Sequence, residues 1–442
     1  MKKKIILLTI FFFIQGCSFD DKSGIWNNDN TVIKKKDKTF KDFETLVTSE
    51  KIFDKIIPIQ NDYNFTSGPI KKNSKWHDEL YNSSNNFDNF SYNEINELIF
   101  KSRKITRYLP NRSFLFTKNN IILSDEKGNI IVYSLIDKKI KIKFNFYQKK
   151  FKNIKKDLNM VIQNDIIYVS DNLGYLYALD FNSNIILWAK NYKIPFRSNI
   201  KIIDNKIITA NQNNILFFFD IKNGETLQSI PTEENILNNE FINNISFEKP
   251  NIFFLNTFGS LYSVDKNTMR IKWFLNLNQF TDLNPSNLFE GNQIIVKENK
   301  LIVSSNKFLY IINSSNGLIL FKKNFKLSVK PIALGDHLFL ITENNLLICM
   351  NLESGNIIYS YNINDKISKF LNLKKKKVEF NSLFIANNKI LIFLKNSYVL
   401  KFNFFGNIED IFKLPTKLNS NPVFVNDTFL YLDKNNKLSV VN

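Results

Sequence analysis

The strongest constraint on the fold of this chain is a repeat. Residues 174–180 read Gly-Tyr-Leu-Tyr-Ala-Leu-Asp, Trp188 follows eight residues later, and degraded copies of this unit recur to the C-terminus. The first slot holds Gly or a tolerant polar residue, the second Asp, Asn or Ser, and the third usually a large apolar residue. These slots fall at 128/134/142, 174/180/188, 214/220/228, 259/265/273, 307/313/321, 345/351/359 and 397/403/411, with an unfinished copy at 436/442. Intervals of roughly 40–50 residues are the period of a four-stranded propeller blade. Eight copies predict an all-β fold, an eight-bladed β-propeller of four-stranded antiparallel blades.

Within each unit, β-rich apolar runs flank a tight turn, as in Ile166–Ser170 before Gly174 and Tyr175–Leu179 after it. The first slot is expected to need a positive φ, which Gly174, Gly259, Asn214, Asn345 and Asn436 tolerate and for which Lys307 and Ser397 are poor choices. Asp180, Asp220 and Asp265 are placed to bond turn amides after the third strand. Trp188, Trp273, Phe321 and Tyr359 are expected to wedge between neighbouring blades, with Gln228 the exception. The last copy runs out of chain before a fourth strand. Residues 96–101, with an aromatic at Phe100, are assigned as the missing outer strand, so that an N-terminal strand completes the last blade and closes the ring.

Three domains are expected: a signal peptide over 1–16, a polar tether and entry segment over 17–95, and the propeller over 96–442. Lys2-Lys3-Lys4 precede a ten-residue apolar run, Ile5 to Ile14, too short for a permanent membrane helix and suited to a signal-peptide core. Cys17 follows in Ile14-Gln15-Gly16-Cys17, whose resemblance to a bacterial lipobox implies lipidation at Cys17. Cys349 is then the single remaining thiol, expected to be a small buried core residue, and no intramolecular disulfide can form. His77 and His337 have no metal-spaced partners. A formal charge of +19 could indicate an anionic partner, but Lys, Asn, Ile and Phe are enriched throughout, so the excess reads as compositional bias and no nucleic-acid partner is expected. Lys374–Lys377 is the longest basic run beyond the N-terminal segment and reads as a solvated loop. Between Ser18 and Ile95 the polar runs suit a tether, with Phe43, Leu46, Val47, Phe53, Ile56 and Ile57 as a stripe that could dock on the propeller.

The Gly-x-Leu-Tyr-Ala-Leu-Asp…Trp unit resembles the quinoprotein-type propeller repeat. Ile14-Gln15-Gly16-Cys17 resembles a bacterial lipobox, and Ser18 after it implies sorting to the outer membrane. Together they resemble the BamB family, lipoproteins of the outer-membrane β-barrel assembly machinery, over about residues 74–442. The likeness extends to Trp76 with the Asn-rich stretch behind it and to Glu97–Phe100. It implies a non-enzymatic scaffold without cofactor, lipid-anchored on the periplasmic face of the outer membrane and monomeric within a hetero-oligomeric complex. The implied partner is a BamA-like barrel subunit, bound through a periplasmic domain. Pro195, Phe196 and Arg197 match the family's apolar-Arg loop between blades. Glu290 falls near one acidic position of a second loop, while Leu288 stands where the other would be. Two rival readings remain: a periplasmic propeller that binds polysaccharide or cell-wall material, and a quinone-cofactor dehydrogenase, against which stands the absence of adjacent cysteines.

Overall fold

The computed structural model describes residues 52–60, 62–65, 68–111, 113–147, 151–234, 242–280, 289, 291, 293–305, 307–374 and 377–442. The described residues are almost wholly β. Eight antiparallel sheets follow one another along the chain, spanning 115–145, 158–191, 201–230, 244–276, 295–323, 332–362, 380–413 and 423–441, here sheets 1 to 8. Each of the first seven contributes four strands in sequence order, and the copies read from the sequence coincide with them one for one. First, second and third strands are buried apolar runs, such as Ile166–Asp171 and Tyr175–Asp180, while fourth strands alternate between exposed and half-buried positions, as in Ile185–Asn191. That alternation marks an outer edge with one face on the core.

Local side-chain chemistry fixes the hairpins. Asp125, Asp171, Asn211, Asn256 and Asp433 each end a second strand, and one side-chain oxygen of each accepts from the N–H groups two and four residues on. A residue just before the third strand then adopts a positive φ: Gly174, Gly259, Asn345, Ser397 and Asn436 directly before it, and Asn214 two residues ahead of Leu216. Lys307 departs from the expectation. Its turn is one residue tighter, closed by Ser305 N–H to the Phe308 carbonyl at 2.8 Å, so the slot needs no positive φ. After third strands, Asp180 and Asp265 accept turn amides at 2.8–2.9 Å.

Adjacent sheets are keyed by an aromatic ring laid on a glycine. Trp188 lies on Gly224 of the next sheet, Trp273 on Gly317, Phe321 on Gly355 and Tyr361 on Gly406; a Cβ at any of these glycines would come within 2.5–2.7 Å of a ring carbon. The indole N–H groups of Trp188 and Trp273 each donate to a carbonyl of the same turns, Ile221 and Ser314, at 3.1 Å. Where the wedge slot holds Ile142 or Gln228, the matching turn residue is Asn184 or Met269. At these four contacts the ring stands where a Cβ would, and Ile142 and Gln228 face turn residues that carry one.

Leu98–Lys104 pairs antiparallel with the last strand, Lys437–Val441, giving sheet 8 its fourth strand. Phe100 from this strand approaches Tyr133 of sheet 1 at 6.4 Å, and Lys138 of sheet 1 lies over its ring. One apolar cluster contains buried residues from sheets 7, 8 and 1, including Phe393, Phe429 and Tyr133.

The largest departure from the sequence reading is residues 73–93, expected to belong to a polar entry segment and found inside the fold. The segment touches the first strand of every sheet in turn. Asn73 Nδ2 donates to the Phe424 carbonyl of sheet 8 at 2.7 Å, Trp76 exchanges backbone bonds with Phe116 of sheet 1, and the His77 carbonyl accepts from Ile162 of sheet 2. Lys201 of sheet 3 donates to Asp78 and to the Asn82 carbonyl. Ser83 and Ser84 accept from Phe247 and Val296 of sheets 4 and 5, and Asn86 bonds both backbone groups of Ala333 in sheet 6. Asn89–Phe90 runs parallel to Ile385–Ala386 of sheet 7, and Asn93 donates to the Asp427 carbonyl, back at sheet 8. The free edge of a first strand presents unpaired N–H and C=O groups. Asparagine amides and the segment's own carbonyls satisfy them, which is why a polar sequence is buried here. We call this segment the hub.

Ahead of the hub, Phe53 packs edge-on against Phe325 at 5.2 Å, Ile57 bridges Ser360, and Phe65 sits among His337, Phe339, Phe404 and Phe405 of sheets 6 and 7. Of the expected apolar stripe, Phe53 and Ile57 dock, Ile56 is exposed, and Phe43, Leu46 and Val47 lie outside the described residues. A helix, Ile363–Leu371, not foreseen from the sequence, joins sheets 6 and 7, with Asn362 accepting from the Asn364 and Asp365 amides and Asn372 closing it in the left-handed region.

Candidate functional site

One side of the molecule carries the loops that link consecutive sheets together with the turns between second and third strands. Two features lie there. The first is the link from sheet 2 to sheet 3, residues 192–200. Its backbone is bonded on three sides: Phe196 N–H to the Asp171 carbonyl at 2.9 Å, Arg197 N–H to the Ala210 carbonyl at 2.9 Å, and the Arg197 carbonyl accepting from Asn243 at 2.9 Å. The Pro195 carbonyl accepts from Gln212 at 2.8 Å, and Ser198 Oγ accepts from Ala210 N–H at 2.7 Å.

Phe196 is not the exposed contact expected from the sequence. It is 1% exposed and packs edge-on against Tyr192 and Phe219 at about 6 Å. The link turns this ring inward because it fills the space between sheets 2 and 3 beside Leu176 and Ile207. Pro195 and Arg197 remain half-buried at the surface. Burial raises the carboxyl pKa of Asp157, and the Arg197 guanidinium opposes that rise, which places the arginine's charge beside this carboxylate. The loop is therefore a pedestal, with Phe196 its foot and Arg197 half-buried above it beside Asp157. Glu290 and Cys17 lie outside the described residues.

The second feature is a cavity of about 1110 Å³, walled by the starts of first strands and by second-to-third-strand turns, with Trp76, Glu79 and Phe87 of the hub lining it. The hub brings four titratable side chains together at the base of the cavity, Asp78, Glu79, Lys201 and Lys330. Lys201 is 1% exposed and pairs with Asp78 at 2.7 Å, and burial lowers its pKa. The Glu79 carboxyl is enclosed by protein although the residue keeps some surface toward the cavity. It accepts from Met160 N–H at 2.9 Å, and burial pushes its pKa up to about 8. Lys330 donates to the Asn85 carbonyl at 2.7 Å with its ammonium 3.4 Å from the centre of the Phe87 ring. These residues were missed from the sequence. The available signal was five aromatics, Trp76, Tyr81, Phe87, Phe90 and Tyr92, in a stretch otherwise too polar to need them.

His77 and His337 bond Thr117 and Tyr63, and among the described residues no group of three His, Cys, Asp or Glu could hold a metal ion. Cys349 is fully buried at the place Ala178 occupies in sheet 2, and burial pushes its thiol well above the ordinary range.

The family model described as outer membrane protein assembly factor BamB matches residues 145–361, from the last residue of sheet 1 through nearly all of sheet 6. The resemblance drawn from the repeats thus holds over just under half of the chain. Among solved structures, BamB from Moraxella catarrhalis is similar at 14% identity and a TM-score of 0.60, over 78% of this chain and 99% of that one. A europium-containing methanol dehydrogenase is similar at 10% identity and a TM-score of 0.59, over 83% of this chain and 89% of that one. The quinohemoprotein alcohol dehydrogenase of Comamonas testosteroni is similar at 9% identity and 0.59, over 83% and 80%. At these identities the structural likeness concerns the fold alone. No curated protein sequence matches the chain.

Proposed function

We propose that this chain is a BamB-type scaffold lipoprotein, a non-enzymatic component of the machinery that inserts β-barrels into the outer membrane. The family-model match over residues 145–361 is the observation that carries this reading. In it, residues 1–16 are a signal peptide, Cys17 is acylated, the chain from 17 onward leads from the lipid anchor, and the eight sheets close into a ring through the pairing of Leu98–Lys104 with the last strand. The cyclic order in which the hub visits the sheets supports that closure. The protein sits on the periplasmic face of the outer membrane as one copy within a larger assembly.

Its partner in this reading is a BamA-like barrel subunit, engaged through periplasmic domains. Arg197 is the residue we assign to that contact, because its bonded backbone fixes where the side chain starts and a guanidinium fork suits carboxylates and carbonyls. Pro195 stiffens the pedestal. Phe196 acts from beneath as a positioning residue, and Glu290 is proposed to contribute from the second loop. A dehydrogenase reading rests on fold likeness only, and fold does not carry function. Calorimetry with the purified periplasmic domains of the barrel subunit tests the assignment. Arg197→Ala should weaken binding about thirtyfold, equivalent to about 2 kcal/mol, and unchanged affinity in the folded variant would remove Arg197 from the interface.

A further inference from the structure

The cavity above the hub has the size of a ligand site and an uncompensated charge. Its volume of about 1110 Å³ is just above the range that takes small molecules, roughly 300–1,000 Å³. A short length of extended polymer suits it better than a compact metabolite. The hub gives it a floor, since Trp76, Glu79 and Phe87 all belong to that segment.

The wall contains three carboxyls, and each is neutralised within the protein. Glu343 pairs with Lys326 at 2.9 Å and Glu379 with Lys395 at 3.2 Å. Glu79 holds its proton at neutral pH, because burial raises its pKa to about 8. Lys330, Lys377 and Lys434 also line the cavity, and among the described residues none of the three has a carboxylate partner. Lys377 and Lys434 stand exposed at the rim, whereas Lys330 is at the floor with one donor used on the Asn85 carbonyl. Burial and the neighbouring Lys201 hold the Lys330 amine well below the ordinary lysine range, while Asp78 opposes them. An anion beside it would reverse that penalty.

Between the charges stand groups that match a peptide backbone. Gln293, Asn345 and Asn419 each carry an amide with a donor and an acceptor, as a peptide group does, while Asn381 spends its NH2 on Ser382 and Asn421. Among the described residues of the lining the cations are lysines, separated ammonium points and not forked donors. We propose that the cavity binds an extended acidic peptide segment, one carboxylate reaching Lys330 at the floor and others meeting Lys377 and Lys434 at the rim. This site is separate from the Arg197 contact and does not depend on it.

Calorimetry on the full-length protein tests the proposal with an N-acetylated, C-amidated triglutamate peptide as probe. One-to-one binding is expected, with the triglutamine counterpart at least tenfold weaker. Lys330→Met should weaken triglutamate binding at least tenfold. Because that substitution also removes a bond to the hub, the exposed pair Lys377→Ala with Lys434→Ala serves as a second variant, expected to lose at least threefold with unaltered thermal unfolding. No detectable binding of triglutamate by the wild type, equal binding of triglutamine, or undiminished binding by both variants would overturn the proposal. Inorganic phosphate displacing the peptide at lower concentration than acetate does would overturn the peptide assignment in favour of a phosphate-bearing ligand.

Discussion

If the hub holds the sheets together, Asn85 is where its removal should be felt most cleanly. Its side chain is fully buried, its φ is +60°, and Nδ2 donates at 2.9 Å to two carbonyls, Ile245 in sheet 4 and Ile294 beside sheet 5. Asn85→Gly keeps the backbone conformation and deletes both bonds. The Ile245 carbonyl still accepts from Asn199 at 2.8 Å, so its loss is about 1 kcal/mol, whereas the Ile294 carbonyl loses its side-chain donor at about 1–3 kcal/mol. Asn85 Oδ1 has no partner among the described residues, and deleting it returns about 1 kcal/mol. The net expectation is a loss of about 1–3 kcal/mol. Asn85→Ala should lose about 1–2 kcal/mol more, because a Cβ is disfavoured in the left-handed region. Urea unfolding followed by tryptophan fluorescence measures both. A glycine variant within about 0.5 kcal/mol of wild type would mean that the hub lies against the sheets without holding them.

Phe196→Ala should cost about 3–5 kcal/mol of stability, since it empties a buried aromatic site, and Arg197→Ala should cost less, through loss of the charge beside Asp157; the reverse ranking in thermal unfolding would contradict the pedestal. Glu79 has a folded-state pKa above its unfolded value, so it favours the folded state most below about pH 4.5, and that contribution is lost as pH rises through about 8. Stability of wild type relative to Glu79→Gln should therefore fall between those limits by up to about 1.4 kcal/mol per pH unit, and parallel pH profiles would refute the enclosed carboxyl. Cys17→Ser should abolish incorporation of a palmitate analogue, and equal labelling of the variant would exclude lipidation at Cys17.

The sheets were legible because what repeats is local. A turn needing a positive φ selects Gly174 or Asn214, an Asx turn selects Asp180, and a ring between sheets selects Trp188, each within a few residues of the strand it serves. The slot at Lys307 was misread because a turn shortened by one residue leaves no local mark beyond the unsuitable residue itself. The hub was not legible for the opposite reason: Asn73 bonds Phe424 and Asn86 bonds Ala333, partners hundreds of residues away. Polarity there signals amides spent on strand edges, not exposure to water. Phe196 was misread similarly, since the sequence places it in a link between sheets but not on the side of the link that faces Tyr192 and Phe219. In the loop proposed for docking, the sequence led to an exposed Phe196, and the structure buries that ring and leaves Arg197 half-buried.

The scaffold reading is tested most directly by what the full-length protein carries out of the membrane. Affinity purification of the tagged chain from detergent-solubilised outer membranes, with the bound proteins identified by mass spectrometry, should recover the barrel subunit in near-equal amount from wild type and in strongly reduced amount from Arg197→Ala. A wild-type preparation that retains its fold and anchor yet brings down no barrel subunit would contradict the account.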